Sequence, residues 1–341
     1  MRKVKLIVII LSLLLILGSL YIIKTNATDS LYKQAVANCL QLSREKIPYC
    51  ISDNTPEIKN LKTLNAVSHV LYEAEKKNAE VTNSCHYSLH EASYQLPPKY
   101  IYEALKTVEI RSCTYALVHG LLESFGLSHP TQSAIIAMSD LCKGQENTDT
   151  AWECAHGLGH GLWFAYRDYN KVIKMCQTLD SFYYVSSCDI GLFMEVYYPT
   201  LQDKFSSSNK KLNDQSLTNF CSSYKDPVYS PCMQGVLFPY LHGEYEKIAT
   251  EALKFAPGDV IPQDTLSLLT TYSKEALLKC EDFPSRGASI CKKSGWQFIL
   301  IVDDWFLKLP EVRKAVCKGW DISVYKTCST AEDFQKKDIF A

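Results

Sequence analysis

Beyond residue 28 the apolar residues recur at intervals of three and four, as in Leu61, Leu64, Val67, Val70 and Leu71, and again in Ala134, Ile135, Met138 and Leu141. That period turns one stripe of an α-helix toward a core, and the alternation of half-buried strands does not appear. Helix starts are marked too. Thr150-x-x-Glu153 reads as a capping box just ahead of Cys154, and Ser230-Pro231 reads as an N-cap and an N1 proline ahead of Cys232. Gln202 to Thr218, with Ser206-Ser207-Ser208, and Ala256 to Asp264 lack the periodicity and read as loops. The pattern predicts an all-α chain built from helical hairpins.

One run is different in kind. Leu6 to Ile23 is uncharged and mostly apolar, preceded by Arg2, Lys3 and Lys5 and closed by Lys24, the layout of an exported chain whose basic end stays in the cytoplasm. It exceeds the usual signal-peptide core of about 7–15 residues and approaches the roughly 20 that span a bilayer. Residues 1–27 are therefore expected to form a transmembrane signal anchor, with Thr25-Asn26-Ala27 as the cleavage site if the segment is instead a signal peptide. Residues 28–341 then form an extracytoplasmic domain. It is held at the cell membrane as a single-pass protein, or else released as a secreted or periplasmic one. The whole chain carries a net charge of −1; without Arg2, Lys3, Lys5 and Lys24, 32 basic residues face 37 acidic ones, about −5. Nothing in that balance invites nucleic acid.

The fourteen cysteines bear on the compartment. Cys39/Cys50, Cys221/Cys232, Cys280/Cys291 and Cys317/Cys328 are eleven apart, Cys142/Cys154 and Cys176/Cys188 are twelve apart, and Cys85/Cys113 remain. The spacing is too wide for C-x2-C zinc knuckles, and no C-x-x-C redox motif occurs. Seven sequential disulfides are the economical reading, and they belong to an oxidising compartment; a thiolate of Cys154 beside His156 is the alternative. In several pairs the first cysteine closes one helix and the second opens the next. The segments after the second cysteines also repeat, since Cys154, Cys188 and Cys232 are each followed three residues on by Gly157, Gly191 and Gly235. This predicts a degenerate helical repeat whose glycines permit close helix contact.

Histidines decorate the repeat unevenly. Six of eight lie between residues 85 and 160: Cys85-His86-x3-His90, then Cys113-x5-His119-Gly120-x2-Glu123, then His129, then Cys154-x-His156-Gly157-x-Gly159-His160-Gly161, with Cys188-x2-Gly191-x3-Glu195 following. Residues four apart share a helical face, so His86/His90, His119/Glu123 and His156/His160 each present two ligand-type side chains together. The later units keep the cysteines but lose the histidines, which a purely structural histidine should not do. With thiolates removed by oxidation, His86, His90, His119, His156, His160 and Glu195 are candidate metal ligands, and Glu123 and Glu195 are candidate catalytic carboxylates. Imidazole and carboxylate together suit zinc, iron, copper or manganese. His69 with Glu73 reads as an exposed face, His129 before Pro130 as a helix end, and His242-Gly243-Glu244 as a turn, with an outlying ligand as the alternative. Tyr183-Tyr184 and Tyr197-Tyr198 read as packing.

These motifs resemble a family of exported, cysteine- and histidine-rich helical proteins in bacteria and archaea, through Cys154-x-His-Gly-x-Gly-His-Gly161, Gly191-Leu-Phe-Met-Glu195, Cys85-His-x3-His90 and His119-Gly120. The resemblance covers roughly residues 85 to 195 and implies an exported helical domain, with no activity attached. The layout is also similar to tetratricopeptide-type repeats, without their tryptophan, tyrosine and proline signature. No H-E-x-x-H, G-x-S-x-G, phosphate loop or dinucleotide fingerprint occurs, which disfavours zinc proteases, serine hydrolases and nucleotide enzymes. Two expectations follow. One is an extracytoplasmic metal-dependent enzyme, with the site in units 85–195 and scaffold repeats over 196–341. The other is a membrane-tethered helical scaffold that binds a peptide or protein, with structural histidines. The substrate is not legible in either case.

Overall fold

A computed structural model describes residues 30–42, 46–75, 80–107, 113, 115–128, 130–144, 148–195, 218–252, 254–255, 258–300, 309–320 and 325–329. Every regular element among them is helical, and no strand occurs. In chain order these are α1 (30–39), α2 (Ile47–Asn54), α3 (Leu61–Glu75), α4 (Glu80–Tyr94), α5 (Ile101–Thr107), α6 (Ala116–Leu127), α7 (Gln132–Lys143) and α8 (Thr148–Tyr166), and then α9 (Tyr169–Cys176), α10 (Phe182–Met194), α11 (Tyr229–Ala252), α12 (Gln263–Lys279), α13 (Ser285–Leu300), α14 (Pro310–Gly319) and α15 (Tyr325–Ser329). The segment proposed as an anchor, 1–27, lies outside the described residues, as does most of the loop proposed over 202–218. No helix among the described residues is long and apolar enough to cross a membrane.

The predicted apolar stripes face inward. Leu64, Val67, Val70 and Leu71 of α3 are buried, as are Ile135 and Met138 of α7. All fourteen cysteines are paired with their sequence neighbours, in the seven bridges that the spacing predicts. The staple geometry is repetitive. Cys142 and Cys176 lie in the last turn of α7 and of α9, while Cys154 and Cys188 lie in the second turn of α8 and of α10. Each closed loop of a dozen residues is worth roughly 3 kcal/mol in the chain-entropy account.

The stapled helices stack in a row. α2 packs on α4, α4 on α6, α6 on α8, α8 on α10, α10 on α11 and α11 on α13, while α3, α5, α7, α9 and α12 pack against its members from outside. The central members are therefore surrounded. Ten of the twelve residues of α6 are buried, the signature of a helix with neighbours on all sides.

Glycine sets the spacing at the centre of the row. A Cβ on Gly126 of α6 would stand 1.8 Å from the carbonyl oxygen of Gly161 on α8, and one on Gly159 of α8 would stand 2.0 Å from that of Cys188 on α10. No side chain fits there.

Three local readings are corrected. α8 begins at Thr148, so Thr150 lies inside the helix and the capping box does not form. α11 begins at Tyr229, ahead of Ser230-Pro231, so that proline sits in the first turn without Ser230 as its cap. The stretch His242-Gly243-Glu244 is no turn, because α11 runs straight through it. In each case packing along the row extends a helix past its local punctuation.

Replacing Gly126 by Ala is expected to lower stability by about 1–3 kcal/mol or more, because two backbones must separate. Gly243 in α11 has open space around its Cβ position, so Gly243→Ala should raise stability by up to about 1 kcal/mol. Denaturant unfolding of both variants reads the opposite signs; equal effects would mean that helix contact does not constrain these glycines.

Candidate metal centre

Four neighbouring helices of the row supply the ligand-type side chains: His86 and His90 from α4, His119 and Glu123 from α6, His156 and His160 from α8, and Glu195 at the C-cap of α10. All five imidazoles belong to one connected cluster. Ring centroids lie 6.1 Å apart for His86 and His90, 6.0 Å for His86 and His119, 5.4 Å for His119 and both His156 and His160, and 4.7 Å for His156 and His160. The convergence expected from the three i,i+4 pairs is present, across 109 positions of chain.

The carboxylates pair differently from the sequence pattern. Glu123 does not share a target with His119 on its own helix; its Oε1 lies 3.0 Å from Nε2 of His90 on α4. His119 Nε2 instead lies 3.2 Å from Oε2 of Glu153 on α8. Glu195 Oε1 accepts from Nδ1 of His160 at 2.6 Å. Glu153 is the site residue that the capping-box reading hid. A signal was available, because residues 153, 156 and 160 share one face of α8.

Three groups form the tightest set. One donor atom each from Glu123, His160 and Glu195 lies within 4.8 Å of the others, and Glu123 and His160 are only 4% and 7% exposed. Burial raises the Glu195 carboxyl despite the opposing His160, while its Oε2 is buried with no hydrogen-bond partner in the protein. Burial opposes the charged form of His90, yet the charge and hydrogen bond of Glu123 prevail and raise it. His119 and His156 go the other way. Burial first, and then four neighbouring imidazoles, hold His119 well below the ordinary histidine value; burial and then His160 do the same for His156 against the opposing Ser187 backbone, so both stay neutral and keep a lone pair.

Backbone strain supports the α4 end of the cluster. Cys113 is left-handed, with φ 55°, and so is Tyr115 just before α6, with φ 59°. Such conformations are held only when the surroundings over-determine them. Here the bridge to Cys85 does so, together with the Cys113 N–H donating to Glu75 Oε2 at 3.1 Å and its carbonyl accepting from His86 Nδ1 at 2.8 Å. Beyond Glu195, Tyr169 stacks on Trp163 and on Phe193 at 4.2 and 5.9 Å, and burial pushes its phenol up.

The remaining candidates stay apart. His69 is exposed on α3 as expected, and His242 pairs with Glu246 at 3.6 Å on α11. His129 and Tyr197-Tyr198 lie outside the described residues. Tyr183 and Tyr184 meet edge to face at 5.4 Å. No family model, no curated protein and no solved structure matches the chain.

Another buried carboxyl, unforeseen from the sequence, sits on α10. Asp189 is 1% exposed, its Oδ1 has no hydrogen-bond partner, and burial raises it to about 7 from the ordinary 3.8. Between pH 4 and 7 the folded chain therefore binds this proton more tightly than the unfolded chain does. Its contribution falls as pH rises through that window, by roughly a few kcal/mol. Asp189→Asn should match the parent near pH 4 and exceed it in stability at pH 8; a pH-independent difference between the two unfolding curves would refute the assignment.

Proposed function

We propose that this is an extracytoplasmic metal-binding protein, and that a transition metal ion held between α6, α8 and α10 serves a metal-dependent reaction. The observation that carries the reading is the convergent set of buried Glu123 and His160 with part-buried Glu195. The set concentrates acceptors, and Glu195 Oε2 has no donor in the protein. A buried acceptor left without a donor costs about 1–3 kcal/mol, and a divalent cation satisfies several at once.

The hydrogen-bond pattern supports specific roles. His160 Nδ1 and Glu195 Oε1 stand 2.6 Å apart, so an ion that displaced the proton between them would take both as ligands. Glu123 is the third ligand. His90 lies outside the convergent set, and its contact with Glu123 suits it to carry a proton to or from that carboxylate. Thiolates take no part, since every cysteine is oxidised, so the choice among zinc, iron, copper and manganese falls to imidazole and carboxylate. The bound ion would acidify a coordinated water, and a carboxylate oxygen off the ion, on Glu195 or Glu123, would take up its proton.

The seven disulfides support a location outside the cytoplasm, and the apolar run in 1–27 supports delivery there. Metal analysis of the full chain, purified without chelator, should find a stoichiometric ion. The double variant Glu123→Gln/His160→Ala should bind one equivalent less than the parent while keeping the helical circular dichroism, because the bridges and not the ion hold the helices. Only trace metal in the parent after loading would leave the alternative of a tethered helical scaffold for a peptide or protein.

A further inference from the structure

Among the described residues, Glu123, His160 and Glu195 are the set whose ligand atoms all lie within 4.8 Å of one another, and they use less than half of the cluster. His119 Nε2 and Glu153 Oε2 lie 3.2 Å apart across the α6–α8 contact, a hydrogen-bonded pair whose shared proton a cation could replace. His156 follows Glu153 on the same face of α8 and is 4% exposed; its Nδ1 is buried without a hydrogen bond of ordinary length, while the Ser187 backbone polarises the ring. Its ring is held in place by stacking on Trp152, with centroids 5.0 Å apart and planes 18° from parallel, and it stands 5.4 Å from the His119 ring.

His86 completes the set from α4. Its Nδ1 lies 2.8 Å from the carbonyl oxygen of Cys113, which can only accept. The proton is therefore on Nδ1, and Nε2 carries the lone pair, on the opposite side of a ring 6.0 Å from that of His119. A backbone carbonyl fixing the tautomer of an imidazole in this way is the usual support of a metal-ligating histidine. Here the carbonyl is itself fixed by the left-handed Cys113 and its bridge to Cys85.

We propose that His119, Glu153 and His156, with His86, form a second cation position beside the first, making the centre dinuclear. The two positions share a wall. His156 and His160 are one turn apart on α8 with ring centroids 4.7 Å apart, and His119 is 5.4 Å from both rings. Paired ions stand about 3.5–4 Å apart in two-metal sites, a separation that ligand sets this close can hold. Five imidazoles and three carboxylates exceed what one ion of four to six ligands takes. The second ion would let the centre grip two oxygens of one substrate or bridge a single oxygen between metals.

This inference rests on the proposed function for the neighbouring ion, and metal stoichiometry separates the two. The full chain in detergent, stripped with chelator, is titrated with zinc ion alone and its bound metal measured after dialysis. Two ions per chain are expected in the parent. His119→Gln/Glu153→Gln should keep one ion, and Glu123→Gln/His160→Gln should also keep one. A parent that binds a single ion overturns the second position and leaves the first; a parent that binds none overturns both. A His119→Gln/Glu153→Gln variant that still binds two ions overturns the ligand assignment. A second measurement needs no mutation: manganese loaded to saturation should give the electron paramagnetic resonance signal of an exchange-coupled pair. A spectrum of isolated manganese only would also overturn the proposal.

Discussion

Contact of backbone with backbone between α6, α8 and α10 is the constraint on which the rest of the centre depends. Helices with ordinary side chains at their interface stand 8–10 Å apart, and imidazoles from three successive helices of the row would not then form one connected cluster. At Gly126, Gly161, Gly159 and Gly191 a carbonyl of the next helix occupies the space that a Cβ would need. The glycines therefore do more than permit packing. Gly157, Gly159 and Gly161 alternate with His156 and His160, so the residues that draw the helices together and the residues that face the pocket come from the same two turns of α8.

The electrostatics follow from that closeness. Water is largely excluded, so each group is set by its nearest partner. Glu123, Glu153 and Glu195 are each matched with one imidazole, and each of these pairs spans two helices. The histidines are nonetheless unequal. Glu123 raises His90, whereas burial first and then neighbouring imidazoles hold His119 and His156 low. One set of side chains thus offers both proton-carrying groups and lone pairs, a combination that a single solvated surface does not sustain.

Much of this was legible in the sequence because it is local. The period of three and four in α3 and α7, the interval between cysteines and the fourfold spacing of histidines are all properties of one helix or one hairpin, and all seven candidate site residues do converge. What was not legible is set between helices. Glu123 turns to His90 and not to the face of His119 because the offset of α4 against α6 decides it. Glu153 was misread because Thr150-x-x-Glu153 satisfies a local rule, while the imidazole of His119, 34 residues earlier, offers Glu153 a buried partner. Asp189 carried no signal at all, since a lone aspartate next to a cysteine looks the same whether it is solvated or enclosed. The turn expected at Gly243 failed for the same reason: neighbours on both sides carry α11 through residues that would end an isolated helix.

The bridges have a consequence for the order in which the molecule can be made. Fourteen cysteines admit on the order of 10⁵ pairings, and this chain uses the one in which every cysteine joins its next neighbour in sequence. No bridge encloses or crosses another. A chain that emerges N-terminus first can therefore close each loop as soon as its second cysteine arrives, without waiting for any later segment and without reopening an earlier bond. Assembly can proceed as a zipper of short closures, each adding one helix to the edge of a row already formed, and the pocket is complete when α10 docks on α8, well before the last third of the chain is needed.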